Sequence, residues 1–259
     1  MPHLPVLRVV PLESIRRHEE VDPLRVDRLR RRIADERIQA NPMVCIEAPG
    51  GEVVLLDGAT RTETLRAIGL SHAVVQLVEP ATVDLGTWHH VVRGCAPEEL
   101  VGAVADNPAL SLTENYGTPS IHPNSGPSRL VEGVGGITAN ATLSALAASY
   151  TGRWDVTRTT DPHRDHIAAS YPGWAAVIEF PTVRMIDVMQ AAVGNDLLPA
   201  GITRFVVPGR ALRLNIPLDL LEPGRDTEVV QAELERILDE RSSDGRVRRY
   251  EGPVFVLDD

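Results

Sequence analysis

The chain has 259 residues, 43% of them apolar, and a formal net charge of -10. It is long enough to bury one large core or two smaller ones, and its acidity argues against a general nucleic-acid binder, which needs a basic face for phosphates. Two cysteines, Cys45 and Cys95, are too few for a disulfide framework or a cysteine-based zinc site, so a reducing cytoplasm is the expected setting. The early apolar run "LPVLRVVPL" is interrupted by Pro11 before it reaches the length of a signal or membrane segment, and no membrane association is expected. All 26 basic residues are arginine. Without lysine there is no Schiff-base site, no Walker-type phosphate lysine and no protein-kinase strand lysine, so phosphate chemistry here must run on arginine, backbone N–H groups and metal. Residues 1–97 carry 12 arginines against 13 acids and residues 98–259 carry 14 against 23, so an anionic ligand is better received in the first part.

In chain order, "VLRVVPL" predicts a strand. "DPLRVDRLRRRIADE" predicts a helix with Asp22 as N-cap, Pro23 at its first position, and Val26, Leu29 and Ile33 on one face. "PMVCIEA" and "EVVLL" read as strands joined through Pro49-Gly50-Gly51, followed by the helix "TRTETLRAI" ending at Gly69 and the strand "AVVQLVE". This is a compact α/β unit, assigned to residues 1–96. Residues 96–136 are less regular, and 111–128, dense in Pro, Gly, Ser and Asn, read as a linker or a mobile loop over a site. Further on, "TANATLSALAASY" and "TVRMIDVMQAAV" predict helices and "WAAVIEF" a strand. "GITRFVVPGRALRLNIPL" is extended, and "DTEVVQAELERILDERSS" is an amphipathic helix with Val229, Val230, Leu234 and Ile237 on its buried side. These define a second, α+β domain over residues 97–259.

Four stretches can carry chemistry. In "LLDGATRTETL" a strand passes through glycine into a helix start, which aims backbone N–H groups and the positive end of the helix dipole at one spot. Gly58 allows close approach, Arg61 offers a bidentate fork and Asp57 stands at the strand end; the same residues also suit a plain Asp-Gly turn with Thr60 as N-cap. In "RRHEEVDPLR", Glu19 and Glu20 either compensate a helix dipole or provide a general base. "DLGTWHHVV" places Trp88 beside His89 and His90, three residues that equally suit a core. In "AGITRFVVPGRALRLN", Arg204, Arg210 and Arg213 either receive an anion or pair with the acids of their own domain. The histidines and aspartates of "DPHRDH" (161–166) leave a metal site as a minor option.

Taken in order, "RRHEEVDPLRVDRL", "VVLLDGATRTETLRAIG", "LGTWHHVV" and "AGITRFVVPGRALRLNIPLDLL" resemble the free L-serine kinases, a family with a ParB/sulfiredoxin-like N-terminal domain that includes archaeal serine kinases and a siderophore-cluster enzyme. The resemblance implies an α+β (α/β) fold with the active site in the cleft between two domains, and transfer of a phosphoryl group from ATP or ADP, with Mg2+, to the hydroxyl of free L-serine or a close hydroxy amino acid. It implies Glu19 as the base that takes the hydroxyl proton, and Asp57 as a second catalytic carboxylate. Gly58, Ala59, Thr60, Arg61 and Thr62 form the nucleotide loop, and Trp88, Thr203, Arg204 and Arg210 lie near the substrate, with Gly209 in the same motif. Two residues depart from the family: Thr60 and Phe205 stand where it has histidine. The different class to weigh against this is a ParB-like nucleotide-sensing or DNA-binding regulator, disfavoured by the acidic charge. A sulfiredoxin-type reductase would want a cysteine in the loop, where neither Cys45 nor Cys95 lies. The sequence sets no oligomeric state.

Overall fold

A computed structural model describes residues 5–248. The chain opens with β1 (Val6–Pro11), β2 (Ile15–Arg17), α1 (Pro23–Glu36), β3 (Ile38–Gln39), β4 (Met43–Glu47), β5 (Val53–Asp57), α2 (Ala59–Ala67) and β6 (His72–Leu77). It continues through β7 (Asp84–Thr87), β8 (His89–Arg93), α3 (Pro97–Ala105), β9 (Leu110–Thr113), β10 (Ser120–Pro123), β11 (Arg129–Gly133), α4 (Ala139–Ala148), β12 (Asp155–Thr159), α5 (Arg164–Ser170), β13 (Trp174–Glu179) and α6 (Met185–Gly194). It closes with β14 (Thr203–Val206), β15 (Ile216–Pro217) and α7 (Thr227–Ser243). The mixed α+β class expected from the sequence is the class observed.

Five strands form a mixed sheet in the order β1-β6-β4-β5-β2, and six form an antiparallel sheet in the order β12-β8-β13-β10-β11-β9. Period-2 alternation decides what lies on each face. In β4 and β5, Met43, Cys45, Val53 and Leu55 enter one core, while Val44, Ile46, Val54 and Leu56 enter the other. The first sheet is therefore a wall apolar on both sides, which is why "MVCI" and "VVLL" read as continuous apolar runs. Residues of α1, α2 and α7 cover one side; α3, α4 and α6 share the other side's core with Val92, Ala176 and Ile178 of the second sheet. Val91 and Val177, one residue out of phase, point away to Ile167 of α5.

This packing corrects the division at residue 96. β8, before that point, lies inside the second sheet, where it pairs with both β12 and β13. Leu214, Ile216, Leu218, Leu221, Val230 and Leu234, far beyond it, return to the first core. The passage 111–128 is likewise not a loose linker: it includes most of β9 and all of β10, and β10 is hydrogen-bonded between β11 and β13. Its polar residues had masked the short alternating strands. Helix α7 buries Val230 and Leu234 and leaves Val229 63% exposed, because Val229 shares its face with Glu233, Arg236 and Glu240.

Capping follows the sequence in α1, where Asp22 accepts from the Leu24 N–H at 2.9 Å. That helix stops at Arg37 in a left-handed conformation (φ 52°), and the Arg37 side chain reaches Asp219 (2.5 Å) and Glu222 (3.0 Å), tying the returning segment to the first sheet's helices. In α2 the cap differs from expectation. The N-cap is Gly58, at φ 105° and ψ 24°, and Thr60 lies in the first turn with no hydrogen bond from its hydroxyl among the described residues. Glycine takes this position because a side chain is disfavoured at such a φ.

Candidate active site

The loop after β5 gathers one carboxylate and two guanidinium groups. Asp57 Oδ2 accepts from Arg61 Nη2 at 3.1 Å and also pairs with Arg210 Nη2, which arrives from the segment after β14. Burial pushes both guanidinium groups down from their usual range, and the buried Nε of Arg61 has no partner among the described residues. Two cations against one anion leave a positive surplus. The first turn of α2 adds to it: Thr62 N–H, bonded to the Gly58 carbonyl, is the first intrahelical donor, so the N–H groups of Ala59, Thr60 and Arg61 before it have no acceptor within the helix. Arg210 is held by Gln76, a buried residue of β6 that the sequence did not single out. Its amide donates to the Gly209 carbonyl (3.2 Å) and accepts from the Ala211 N–H (2.8 Å), clamping the peptide on either side of Arg210.

Glu19 belongs to a second group. It forms a parallel bridge with Leu198, in which Leu198 N–H donates to the His18 carbonyl (2.9 Å) and Glu20 N–H to the Leu198 carbonyl (2.8 Å). Glu19 Oε2 accepts from the Gly201 N–H at 3.1 Å and lies 3.3 Å from the Thr203 hydroxyl. His18, 1% exposed, joins this group to the loop. A carbonyl only accepts, so Nδ1 carries the hydrogen that goes to Leu55, two residues before Asp57 (2.7 Å). Burial pushes the ring's pKa down, so it stays neutral, and Nε2 is left as acceptor for the Thr203 hydroxyl at 3.1 Å. The Thr203 hydroxyl has one hydrogen for His18 Nε2 and Glu19 Oε2 between them, and Glu19 Oε1 accepts from no described residue, so the carboxylate has acceptor capacity to spare. Phe205 stands edge-on to His18, with centroids 5.5 Å apart, and helps to keep it dry.

The third group is Trp88 and Arg204. Trp88 N–H donates to the Ile202 carbonyl at 2.8 Å, and the Arg204 guanidinium lies 5.4 Å from the indole centroid on the adjacent strand pair β7–β14. Because β14 carries both Thr203 and Arg204, this pair is fixed relative to Glu19. Thr62 is not turned toward a ligand: it is fully buried, with both its N–H and its hydroxyl on the Gly58 carbonyl, so it shapes the loop from inside.

Other candidates resolve differently. His90 is buried against the Tyr150 hydroxyl at 2.7 Å, and His89 accepts from the Phe180 N–H at 3.1 Å; both are structural. In "DPHRDH" Asp161 accepts from His163, whose N–H and ring hydrogen bonds pull the carboxyl below its usual range, and no group of three His, Cys, Asp or Glu among the described residues could hold a metal ion. Cys45 is fully buried in β4, which pushes its thiol far up and removes it as a nucleophile. A separate cleft of about 290 Å³ is lined by Arg16, Arg17 and Arg66, but Arg17 and Arg66 are committed to Glu63, and Arg66 also to the Leu12 and Ile15 carbonyls. No described helix is long and apolar enough to cross a membrane.

The fold is that of free serine kinase structures. A free serine kinase in complex with AMP superposes with a TM-score of 0.73 at 15% identity, covering 85% of this chain and 95% of the other. C-terminally truncated SbnI from Staphylococcus aureus superposes with a TM-score of 0.73 at 22% identity, covering 93% and 97%. In sequence, the chain is 23% identical over 258 residues, 97% of each protein, to the ATP-dependent L-serine kinase SbnI of Staphylococcus aureus (strain NCTC 8325 / PS 47). No family model matches the chain. The resemblance read from four short motifs thus extends over nearly the whole length.

Proposed function

We propose that the protein is an ATP-dependent kinase of free L-serine or a close hydroxy amino acid, forming O-phospho-L-serine. The observation that carries this reading is the juxtaposition, through His18, of an anion-receiving loop and a carboxylate with free acceptor capacity. Phosphoryl transfer asks little covalent chemistry of a protein; it asks for in-line placement and charge stabilisation. The loop N–H groups, Arg61 and Arg210 would receive the nucleotide phosphates, with Asp57 orienting the two arginines until the nucleotide enters. Glu19 would accept the serine hydroxyl proton as that oxygen forms its bond to the γ-phosphorus, while the bond to the β-phosphate oxygen breaks and ADP leaves. Trp88, Thr203 and Arg204 would line the acceptor side.

A magnesium ion suits this arrangement as a passenger on the nucleotide. Asp57 stands at the start of the loop and is shared by two arginines, and among the described residues no cluster of His, Cys, Asp or Glu surrounds it. When bound, the ion would supply charge neutralisation at the phosphates. On this reading the first sheet with α1, α2 and α7 is the nucleotide side, and the β7–β14 pair, continuous through Trp88 with β8 of the second sheet, is the acceptor side.

The test is incubation with magnesium, L-serine and either ATP or ADP, followed by mass spectrometry for O-phosphoserine. Absence of product with both nucleotides across serine, homoserine and threonine sinks the proposal. Glu19→Gln should lower turnover by about 10²- to 10⁴-fold, the usual worth of a positioned base, with nucleotide affinity retained; an unchanged rate removes Glu19 from that role.

A further inference from the structure

Arg158 was not singled out by any motif, yet it stands beside the carboxylate assigned as base. It lies on β12, opposite His90 of β8. Its guanidinium rests on the backbone of Gly201 so closely that a Cβ there would overlap Nη2 and lie 2.5 Å from Cζ and 2.9 Å from Nε. The same Gly201 donates its N–H to Glu19 Oε2 at 3.1 Å. Arg158 and Glu19 therefore flank one peptide, and glycine is required there both for that approach and for its φ of +82°.

The guanidinium has no ion pair and no side-chain hydrogen bond among the described residues. Arg129, Arg184, Arg236 and Arg246 of the same acid-rich half each pair with a nearby acid, whereas among the described residues Arg158, like Arg204, does not. The charged and titratable groups facing it are Glu19, Arg25 and His90. His90 is neutral, pushed down to about 4 by burial and then by Arg158 itself, and Arg25 is 3.7 Å from Asp22. Arg25 is matched by Asp22, and Arg158 faces Glu19 without forming an ion pair to it, so its fork is open to an anion within a peptide's breadth of the proton acceptor. In a β-hydroxy amino acid the hydroxyl and the carboxylate are separated by only two carbons, which matches this short span.

We propose that Arg158 receives the α-carboxylate of the amino-acid substrate and so selects for free amino acids over neutral alcohols. This rests on the kinase reading and deepens it. A nucleotide phosphate is the other anion to weigh, but its cradle is already built on the β5–α2 loop with Arg61 and Arg210, whereas Arg158 comes from the second sheet.

The experiment compares L-serine with L-serinamide, which lacks the carboxylate charge, in the wild type, Arg158→Gln and Arg158→Lys, with thermal melting to confirm that each variant is folded. For Arg158→Gln the expected result is a rise in the serine KM of about 10- to 100-fold, the scale of charge-assisted hydrogen bonds, with the nucleotide KM unchanged. The preference for serine over serinamide should collapse in Arg158→Gln and be partly kept in Arg158→Lys. An unchanged serine KM and preference, or a rise confined to the nucleotide KM, overturns the proposal. If the wild type makes no phosphoserine, the kinase reading fails by itself. Calorimetric titration of L-serine and L-serinamide then still decides Arg158: equal binding of the two by the wild type, or no serine binding, overturns its role, and serine binding lost only in Arg158→Gln supports it.

Discussion

Replacing Gly58 with alanine should strike both the stability of the loop and its affinity for nucleotide. Gly58 sits at φ +105°, and a Cβ built on it would lie 2.8 Å from Met43 Cγ, 2.9 Å from Arg61 Nη2 and 3.1 Å from Arg61 Nε. The backbone term alone is about 1–2 kcal/mol, the cost of a positive φ for an L side chain. Met43 is fully buried and cannot withdraw, so the methyl must also push the Arg61 guanidinium away from Asp57, at roughly 1–3 kcal/mol for overpacking. The sum is about 2–5 kcal/mol. Gly69 offers the control: it too has a positive φ, +81°, but nothing lies within 4 Å of its Cβ direction, so Gly69→Ala should show the backbone term alone, about 1–2 kcal/mol. Urea unfolding of both variants, with titration of ATP into each, separates the contributions. Gly58→Ala should be the less stable and should bind nucleotide at least about tenfold more weakly, since a displaced arginine loses a charge-assisted bond. Equal stability of the two variants with wild-type nucleotide affinity would refute the assignment of this loop.

Gln76→Leu keeps the side-chain volume but removes both bonds that seat Arg210; stability should fall by about 1–3 kcal/mol and nucleotide affinity with it. Intact ATP binding in a variant of lowered urea midpoint would show that the clamp does not matter to Arg210. Acidification should also destabilise the protein. His90 is pushed down to about 4 from an ordinary 6.5, so the unfolded chain takes the proton first: stability is complete above pH 6.5 and is lost as the pH falls toward 4. The loss by pH 5 is roughly 2 kcal/mol from this residue, and buried His18 acts in the same direction. A urea midpoint that stays flat between pH 7 and 5 would contradict the burial of these rings.

Much of the candidate site's local geometry was legible because its parts are short and local. The "DGATR" turn announces itself by a strand, a glycine and a helix start in immediate succession, and Arg61 reaches Asp57 over one helical turn. Asp22 with Pro23 marks the start of α1 for the same reason. What escaped notice was either polar residues in plain strands or local signals set in an irregular context. Helix α3 has Pro97 at its first position and Glu99 accepting from the Ala96 N–H at 2.8 Å, a start signal present in the sequence but surrounded by glycine and asparagine. Gln76 and Arg158 carry no motif, since their meaning depends on Gly209, Ala211 and Gly201, more than forty residues away in the chain.

By itself, then, the sequence determined the mixed α+β class, the Asp22 cap of α1, the strand–glycine–helix turn at 57–61 and the family likeness, because each is written within a few residues of backbone propensity and side-chain spacing. Only the tertiary structure decided that the first sheet is apolar on both sides, that the returning segment completes the first core, that His18 joins Glu19 to the loop, and that Arg210 meets Asp57. These are contacts between residues distant in sequence. They arise when two cores close around a shared sheet, and no local pattern encodes which partner burial will bring within reach.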